Sequence, residues 1–568
     1  MCVSDKQHIF LQNISELQPK AVGWVYTYHI YFSSLFYLFK NSLKHYVLIV
    51  FFVFVNQFPQ VFAQQTIIPL QNELNYRFEK EFFASNNIHL NIKPFAINKK
   101  ETFDSLNNLL FIETKRQSIN ILLNNNSLLV NKKNLFLTLN PIINTIWGID
   151  IKSNNYVQDS KFGLAINAHI GKKTSLQING FYGIRSFTKE WNNIVDSTKI
   201  IPHYGKILNK HQRAYDYIAF DGNISYMPWK HLNIQIGKGK NFWGEGYRSL
   251  FLSDNSNSYP YSKITIDIWR FKYIWMVGAL RDFDSERNTG KLYPKLQFSH
   301  YLSWNATKWL NFNFFESIIS NPIDSAGVHY FNINYLNPVS FFRPVEFAGG
   351  SADNAILGIG LKLKIWKKYH LYSQLLIDEF VFSEIKSGNG WWGNKYGIQT
   401  GLKIFNPLNI RSLMLLVEFN LIRPYTYSYS NSIQNYGNYM QPLAHPSGAN
   451  LKEGVAIVHY HNKRFSSQIK GVFQITGVDS DTISHGKDIY RPYGLRPDDY
   501  NHNIAQGLLT KHFLFEFKSG WIINPKHYTQ LQFIISAKRT NPLFQSANEI
   551  FFLFGIKSLI FNEIRDFD

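Results

Sequence analysis

From about residue 140 onward, apolar residues alternate with polar or small ones in segments of roughly ten residues, separated by turn-forming stretches. Phe162, Leu164, Ile166, Ala168 and Ile170 share one face of such a segment, and Gly163, Ala165, Asn167, His169 and Gly171 share the other. Leu357, Ile359, Leu361, Leu363 and Ile365 oppose Gly358, Gly360, Lys362 and Lys364, and Leu413, Leu415, Val417, Phe419 and Leu421 enclose Glu418 and Asn420. Successive side chains of a strand point to opposite faces, so each segment has one oily and one polar side. Strands of a soluble sandwich are shorter, about five or six residues. These run for about nine to eleven, the length that crosses a bilayer at a tilt. Lysines between leucines would be costly against lipid and suit a polar lumen. The expected fold is therefore all-β, a transmembrane antiparallel β-barrel of about eighteen strands over 140–568, an even count as in single-chain bacterial barrels. The segment 550–560 carries Phe552, Phe554 and Ile556 on one face. A terminal aromatic strand of this kind suits recognition by the barrel-insertion machinery.

Five long irregular stretches interrupt the strands, at about 187–214, 240–261, 319–352, 423–452 and 476–507. Barrels place long loops outside and short turns in the periplasm, so these stretches are expected to form the extracellular surface or a lumen plug and to gather functional residues. Upstream, 64–139 lacks a period-2 pattern and reads as a short irregular or helical N-terminal region, periplasmic or plugging the mouth. The stretch 40–63 reads as a secretory signal: Lys40 and Lys44 form its positive region, 46–55 its apolar core, and Val61-Phe62-Ala63 a processing site before Gln64. The apolar core is too short to span a membrane. Met1 is the only methionine before Met227, so the expectation is initiation near Leu38 or Leu43, with no structural role for 1–39.

Composition sharpens this picture. Aromatic residues make up 17% of the chain, with 48 Phe, 33 Tyr and 13 Trp, which fits an apolar outer face with aromatic rims. AT-rich codon usage accounts for part of that excess but not for its ordering. A hydrophobic share of 45% and mean hydropathy of −0.20 exclude a disordered chain. The lack of further long apolar runs after residue 63 excludes a polytopic helical membrane protein. Lys and Arg exceed Asp and Glu by 59 − 39 = +20, which favours anionic partners. The charges are scattered and no recognition motif occurs, so nucleic acid is not expected. Outer-membrane lipid, lipopolysaccharide and surface polysaccharide remain. Cys2, the single cysteine, lies upstream of the expected cleavage site, which excludes disulfides and thiolate metal sites in the mature chain. The chain has no HExxH motif, nucleophile elbow or P-loop, and His445 and His485 stand alone in loops. No catalytic residue, metal or cofactor is expected, and the chain reads as a non-enzyme.

Four segments carry denser chemistry. The first runs Gly237-Lys238-Gly239-Lys240-Asn241-Phe242-Trp243-Gly244-Glu245-Gly246-Tyr247-Arg248. The second holds Tyr335-Leu336-Asn337-Pro338, Arg343-Pro344-Val345-Glu346-Phe347 and Asp353-Asn354. The third is Gly390-Trp391-Trp392-Gly393-Asn394-Lys395-Tyr396-Gly397, and the fourth joins Arg423-Pro424-Tyr425-Thr426-Tyr427 to Met440-Gln441-Pro442 and His445-Pro446. Trp243 and Tyr247 offer flat apolar faces, with Glu245 and Arg248 as charged groups beside them, a mixture that matches the apolar face and hydroxyl edge of a sugar. The competing reading is a rigid loop packed into the lumen, with Arg343 and Glu346 paired as internal struts. Tyr425, Tyr427 and Tyr429 fit a rim girdle better than a ligand platform.

Together the four segments resemble the Wzi-like capsule-assembly family of outer-membrane barrels, nearest to its gliding-motility branch in Bacteroidota. The resemblance covers about 140–568; Glu245 stands where the family's pattern has Asp or Pro. It implies a barrel in the outer membrane of a Gram-negative bacterium that binds or anchors surface polysaccharide or supports gliding, without catalysis. A porin-like solute channel is the alternative, since a barrel of this size can enclose one.

Overall fold

A computed structural model describes residues 66–84, 88–97, 110, 116–212, 214–283, 290–321, 323–324, 327–328, 333–338, 353–542, 547–563 and 566. The chain divides after Val61 into two units. The first unit lies wholly outside the described residues, as does the expected signal segment up to Ala63.

The second unit is built on eighteen antiparallel strands among the described residues. They are β1 (Leu135–Asp150), β2 (Asn155–Ile170), β3 (Thr174–Arg185), β4 (Tyr215–Trp229), β5 (Leu232–Gly239), β6 (Tyr259–Ile268), β7 (Phe271–Phe283), β8 (Leu292–Trp304) and β9 (Leu310–Ser320). The second half comprises β10 (Asn354–Ile365), β11 (Tyr369–Glu379), β12 (Lys395–Phe405), β13 (Leu413–Ile422), β14 (Leu451–Asn462), β15 (Phe465–Val478), β16 (Leu508–Asn524), β17 (Thr529–Pro542) and β18 (Ala547–Ser558). Each strand pairs with the next, and β18 returns to β1 from Phe551↔Asp150 to Lys557↔Asn144. Closure removes the sheet edge, and with it the row of unpaired backbone groups that hydrocarbon cannot satisfy.

Burial along the strands is inverted relative to a soluble protein. Phe162, Phe473 and Phe513 are about half exposed, while Lys362, Glu418 and Gln399 are at most 1% exposed. In β14, Lys452, Ala456 and Val458 face outward, whereas Glu453, Val455, Ile457 and His459 are buried. An apolar outer belt around a polar interior is stable only with lipid as the outer solvent. The lysine placed between leucines in the sequence, Lys362, faces the lumen.

The connections sort by length. Short turns at 171–173, 230–231, 269–270, 366–368, 463–464 and 525–528 all lie at one end, and the loops 186–214, 240–258, 423–450 and 479–507 at the other. Four of the five expected long stretches are these loops; the fifth, 319–352, falls between β9 and β10 and lies mostly outside the described residues. A sixth at the same end, 380–394, was not anticipated from the sequence pattern; it holds the short helix Phe382–Ser387.

The lumen is occupied by the chain itself. The helix α1 (Asn72–Ala84) presents Phe78, Phe82 and Phe83 to a wall of Phe405, Met414, Leu416, Val455, Ile457, Val472 and Leu514 near the short-turn end. Its Arg77 Nη1 donates to the Lys463 carbonyl at 2.7 Å, and its Glu79 pairs with Lys403. Residues Ile92–Lys93 then pair antiparallel with Phe242–Trp243, tying this segment to the 240–258 loop. That loop sends Trp243, Leu250, Phe251 and Leu252 into one apolar cluster with Tyr427, Tyr436 and Leu443 of the 423–450 loop and with Tyr301 and Phe315 of the wall. The stretch after β18 also turns inward, where Glu563 pairs with Lys161 and Asp566 with Lys470.

Arg248 is the hub of this interior. It lies 3.0 Å from Glu453 and 2.8 Å from Asp566, all three fully buried. Burial alone would raise the Asp566 carboxyl, but the Lys470 and Arg248 charges hold it below the usual carboxylate range. Arg248→Met should lower stability by about 3–5 kcal/mol, because buried Glu453 loses its guanidinium partner and buried Asp566 loses one of its two counter-charges. Urea unfolding of the lipid-embedded barrel, followed by tryptophan fluorescence, measures this; a loss below about 1 kcal/mol contradicts it.

Candidate functional site

The 240–258 loop does not present its side chains to solvent. Trp243, Glu245, Tyr247 and Arg248 are 0–6% exposed. Glu245 lies 2.9 Å from Lys362 and 3.3 Å from His370. Burial opposes its ionisation, yet Lys362 and His370 hold its pKa well below the ordinary value. The Tyr247 and Arg248 backbone amides donate to Glu418 at 2.8 and 3.1 Å, and Tyr247 Oη donates to Asp566 at 2.9 Å. A Cβ at Gly246 would sit 2.0 Å from a Glu418 oxygen, so only glycine lets the backbone pass there. Of the two readings open from sequence, the packed lumen loop is the geometry observed. Its expected struts Arg343 and Glu346 lie outside the described residues.

Tyr425 and Tyr427 correct the rim-girdle expectation. A girdle needs rings on the lipid side, but these two are 1% and 0% exposed. Their backbones take left-handed angles (φ 65° and 73°) that turn the loop inward. Tyr425 Oη donates to the Ser484 carbonyl and Tyr427 Oη to the Leu250 carbonyl, each at 2.9 Å.

At the long-loop end, Trp391 and Trp392 are only partly buried. The Trp392 ring lies 4.6 Å from that of Tyr493 and 5.9 Å from that of Trp391, and the Arg496 guanidinium sits 4.1 Å over it. Arg496 is fixed from its other side by Asp499 at 2.6 Å, and the Trp392 amide donates to the Asp499 carbonyl. Tyr429 meets Tyr493 edge-on at 6.1 Å, and Arg423 donates to the Trp391 carbonyl at 3.1 Å. Three loops thus converge on one aromatic and guanidinium surface, flanked by exposed Phe382, Leu495 and Tyr500. Flat rings beside fixed charged donors and acceptors combine apolar contact with directional hydrogen bonding.

Sequence reasoning found Trp391 and Trp392 but missed Tyr429 as a member of this surface, and Tyr493, Arg496 and Asp499 altogether. One signal was present: the triplet Arg-Pro-Tyr occurs at both 423–425 and 491–493. His445, isolated in sequence, lies 3.0 Å from Glu453.

Among the described residues, Glu79, Glu245 and His370 form a group whose ligand atoms lie within 4.8 Å of one another, close enough to share a cation. Lys403 and Lys362 already stand on the two carboxylates, so ammonium groups supply the counter-charge there. Clefts beside the lumen filling include one lined by Asp159, Arg185, Phe187, Glu516, Lys538 and Phe551, and one lined by Asp221, Lys240, Asp254 and Tyr261 among others.

Known proteins place the fold. No family model matches the sequence, and no curated protein matches it. The chain is similar in structure to Wzi of Escherichia coli, described as an outer membrane protein involved in group 1 capsule assembly and a carbohydrate-binding β-barrel. The match has 10% identity and a TM-score of 0.52, covering 86% of this chain and 98% of that one. Pseudomonas aeruginosa OprD matches at 10% identity and a TM-score of 0.39 over 74% of this chain and 94% of that one. A BenF-like porin of Pseudomonas fluorescens matches at 9% identity and 0.40, over 74% and 98%. At these identities the likeness is one of fold: this is a large barrel of the kind found in bacterial outer membranes, with a Wzi-like architecture.

Proposed function

We propose that this protein is a non-enzymatic outer-membrane barrel that holds surface polysaccharide at its long-loop end, in capsule assembly or in gliding. The observation that carries the reading is the three-loop surface of Trp391, Trp392, Tyr429, Tyr493 and Arg496 standing over a lumen filled by the chain's own segments. A filled lumen favours a holding role over passage, and the partly exposed rings supply faces on which sugar rings stack. The carbohydrate binding recorded for the structurally similar Wzi supports the same ligand class. The order of the four sequence motifs supports a place near the gliding-motility branch typified by RemB. Long loops face outward in such barrels, which puts this surface on the cell exterior.

These clefts favour a second reading, a slow or gated solute path along the wall from β16 through β1 to β6. Planar-bilayer recording separates the two. The intact barrel should carry no steady open-channel current, and a stable ohmic conductance would move the assignment to a channel.

Deleting the gene should shift polysaccharide from the cell-associated to the released fraction at constant total synthesis, read by fractionated sugar analysis. Unchanged retention removes the capsule role and leaves motility. In purified barrel, Trp392→Ala and Arg496→Ala should each weaken polysaccharide binding about tenfold, the loss of one good contact. The test is isothermal titration alongside a lumen variant, Trp243→Phe, that leaves binding unchanged. Equal binding by all three variants defeats the loop-surface assignment.

A further inference from the structure

In the lumen, Lys161, Lys362, Lys403 and Lys470 each have an acidic partner, but three basic residues on the outer wall do not. Lys452 of β14, Lys511 of β16 and Arg539 of β17 are exposed, and none makes a hydrogen bond or ion pair with a described residue. Register places them together. Lys452 pairs with Ile475, Ile475 with Lys511, and Lys511 with Asn541, so one row crosses four strands. Arg539 sits one outward position deeper in β17, opposite Phe513. With strands about 4.8 Å apart, Lys452 and Lys511 stand about 10 Å from each other. Arg539 lies diagonal to Lys511 at about 7–8 Å.

The depth of this group is set by its neighbours. All three residues lie near the long-loop ends of their strands. Immediately toward the middle of the wall, Val458, Ile469, Phe473, Phe513, Phe515 and Phe533 form a continuous exposed apolar belt. Basic side chains on a lipid-facing wall are tolerated at the interface and not at mid-bilayer, and their long stems let the charges rise to headgroup level. A protein surface with three cations and no internal counter-charge needs anions from its surroundings, and at this height these are headgroups.

We infer that Lys452, Lys511 and Arg539 form a docking site for the phosphorylated headgroup of an outer-leaflet glycolipid. Its phosphates lie across the three cations, and its acyl chains run down over Phe473 and Phe513. The spacing between the cations spans two phosphates on one disaccharide headgroup, whereas a single phosphate engages only the Lys511–Arg539 side. The site rests on the long-loop end lying in the outer leaflet and is independent of the polysaccharide reading.

The test uses the full-length barrel in detergent, titrated with lipid A carrying both phosphates or with the same lipid stripped of them, and read by native mass spectrometry. The intact barrel should bind the phosphorylated form about tenfold more tightly. The triple variant Lys452→Gln, Lys511→Gln, Arg539→Gln should lose that preference while keeping the heat-modifiable gel mobility of a folded barrel. If the triple variant does not fold, Lys511→Gln alone should still reduce the preference severalfold. A preference that survives in the folded triple variant, or is missing from the intact barrel, overturns the site. Equal binding of phosphatidylglycerol, or competition by millimolar inorganic phosphate, overturns its assignment to a glycolipid headgroup.

Discussion

Everything in this molecule depends on the hydrogen-bonded seam between β18 and β1. A bilayer offers no partner to an unpaired amide or carbonyl, so a sheet of this size survives there only as a ring. Once the ring closes, each strand has an inside and an outside, and alternation along the chain becomes a radial sorting of lipid-facing and lumen-facing residues. The lumen polar groups then lose access to bulk water wherever chain fills the space. Buried charges are therefore set against opposite charges of the chain itself, as in the Arg248–Glu453–Asp566 and Glu245–Lys362–His370 groups.

Those buried charges connect segments far apart in sequence. Asp566, Arg248 and Glu453 come from the stretch after the last strand, a long loop and the barrel wall. Glu79 and Lys403 join the N-terminal helix to β12. Breaking one partner of such a pair is far more costly than the pair is stabilising, so the arrangement specifies position more than it adds stability. The lumen filling is consequently part of the fold, and the exposed loop tips above it rest on a rigid base. The proposed binding surface of Trp391, Trp392, Tyr493 and Arg496 would gain from that rigidity, because rings already held in place lose less entropy on contact with a ligand.

At the long-loop end the chain presents two distinct surfaces. Trp391, Trp392 and Tyr493 lie in the loops above the wall, and Lys452, Lys511 and Arg539 lie on its outer face. The separation follows from the strand period: neighbouring residues in one strand point to lumen and lipid in turn, so Lys452 and Glu453 adjoin in sequence yet stand in different solvents.

The sequence by itself determined the barrel, a strand number near eighteen and the gathering of the long loops, because a period of two over membrane-length segments admits few other solutions. It placed Lys362 in the lumen and Phe552 and Phe554 together on one face from alternation alone, a face the barrel turns outward. Tertiary structure decided which way each loop folds. Trp243, Tyr425 and Tyr427 look in sequence like the same kind of residue as Trp392, yet the first three are buried in the lumen and the last stands at the mouth. That difference arises from Gly246 passing against Glu418, from left-handed turns at the two tyrosines, and from ion pairs whose members are hundreds of residues apart. Local pattern records the period of a strand because the period is local. It cannot record whether a loop enters the lumen or covers it, because that is settled by contacts with residues elsewhere in the chain.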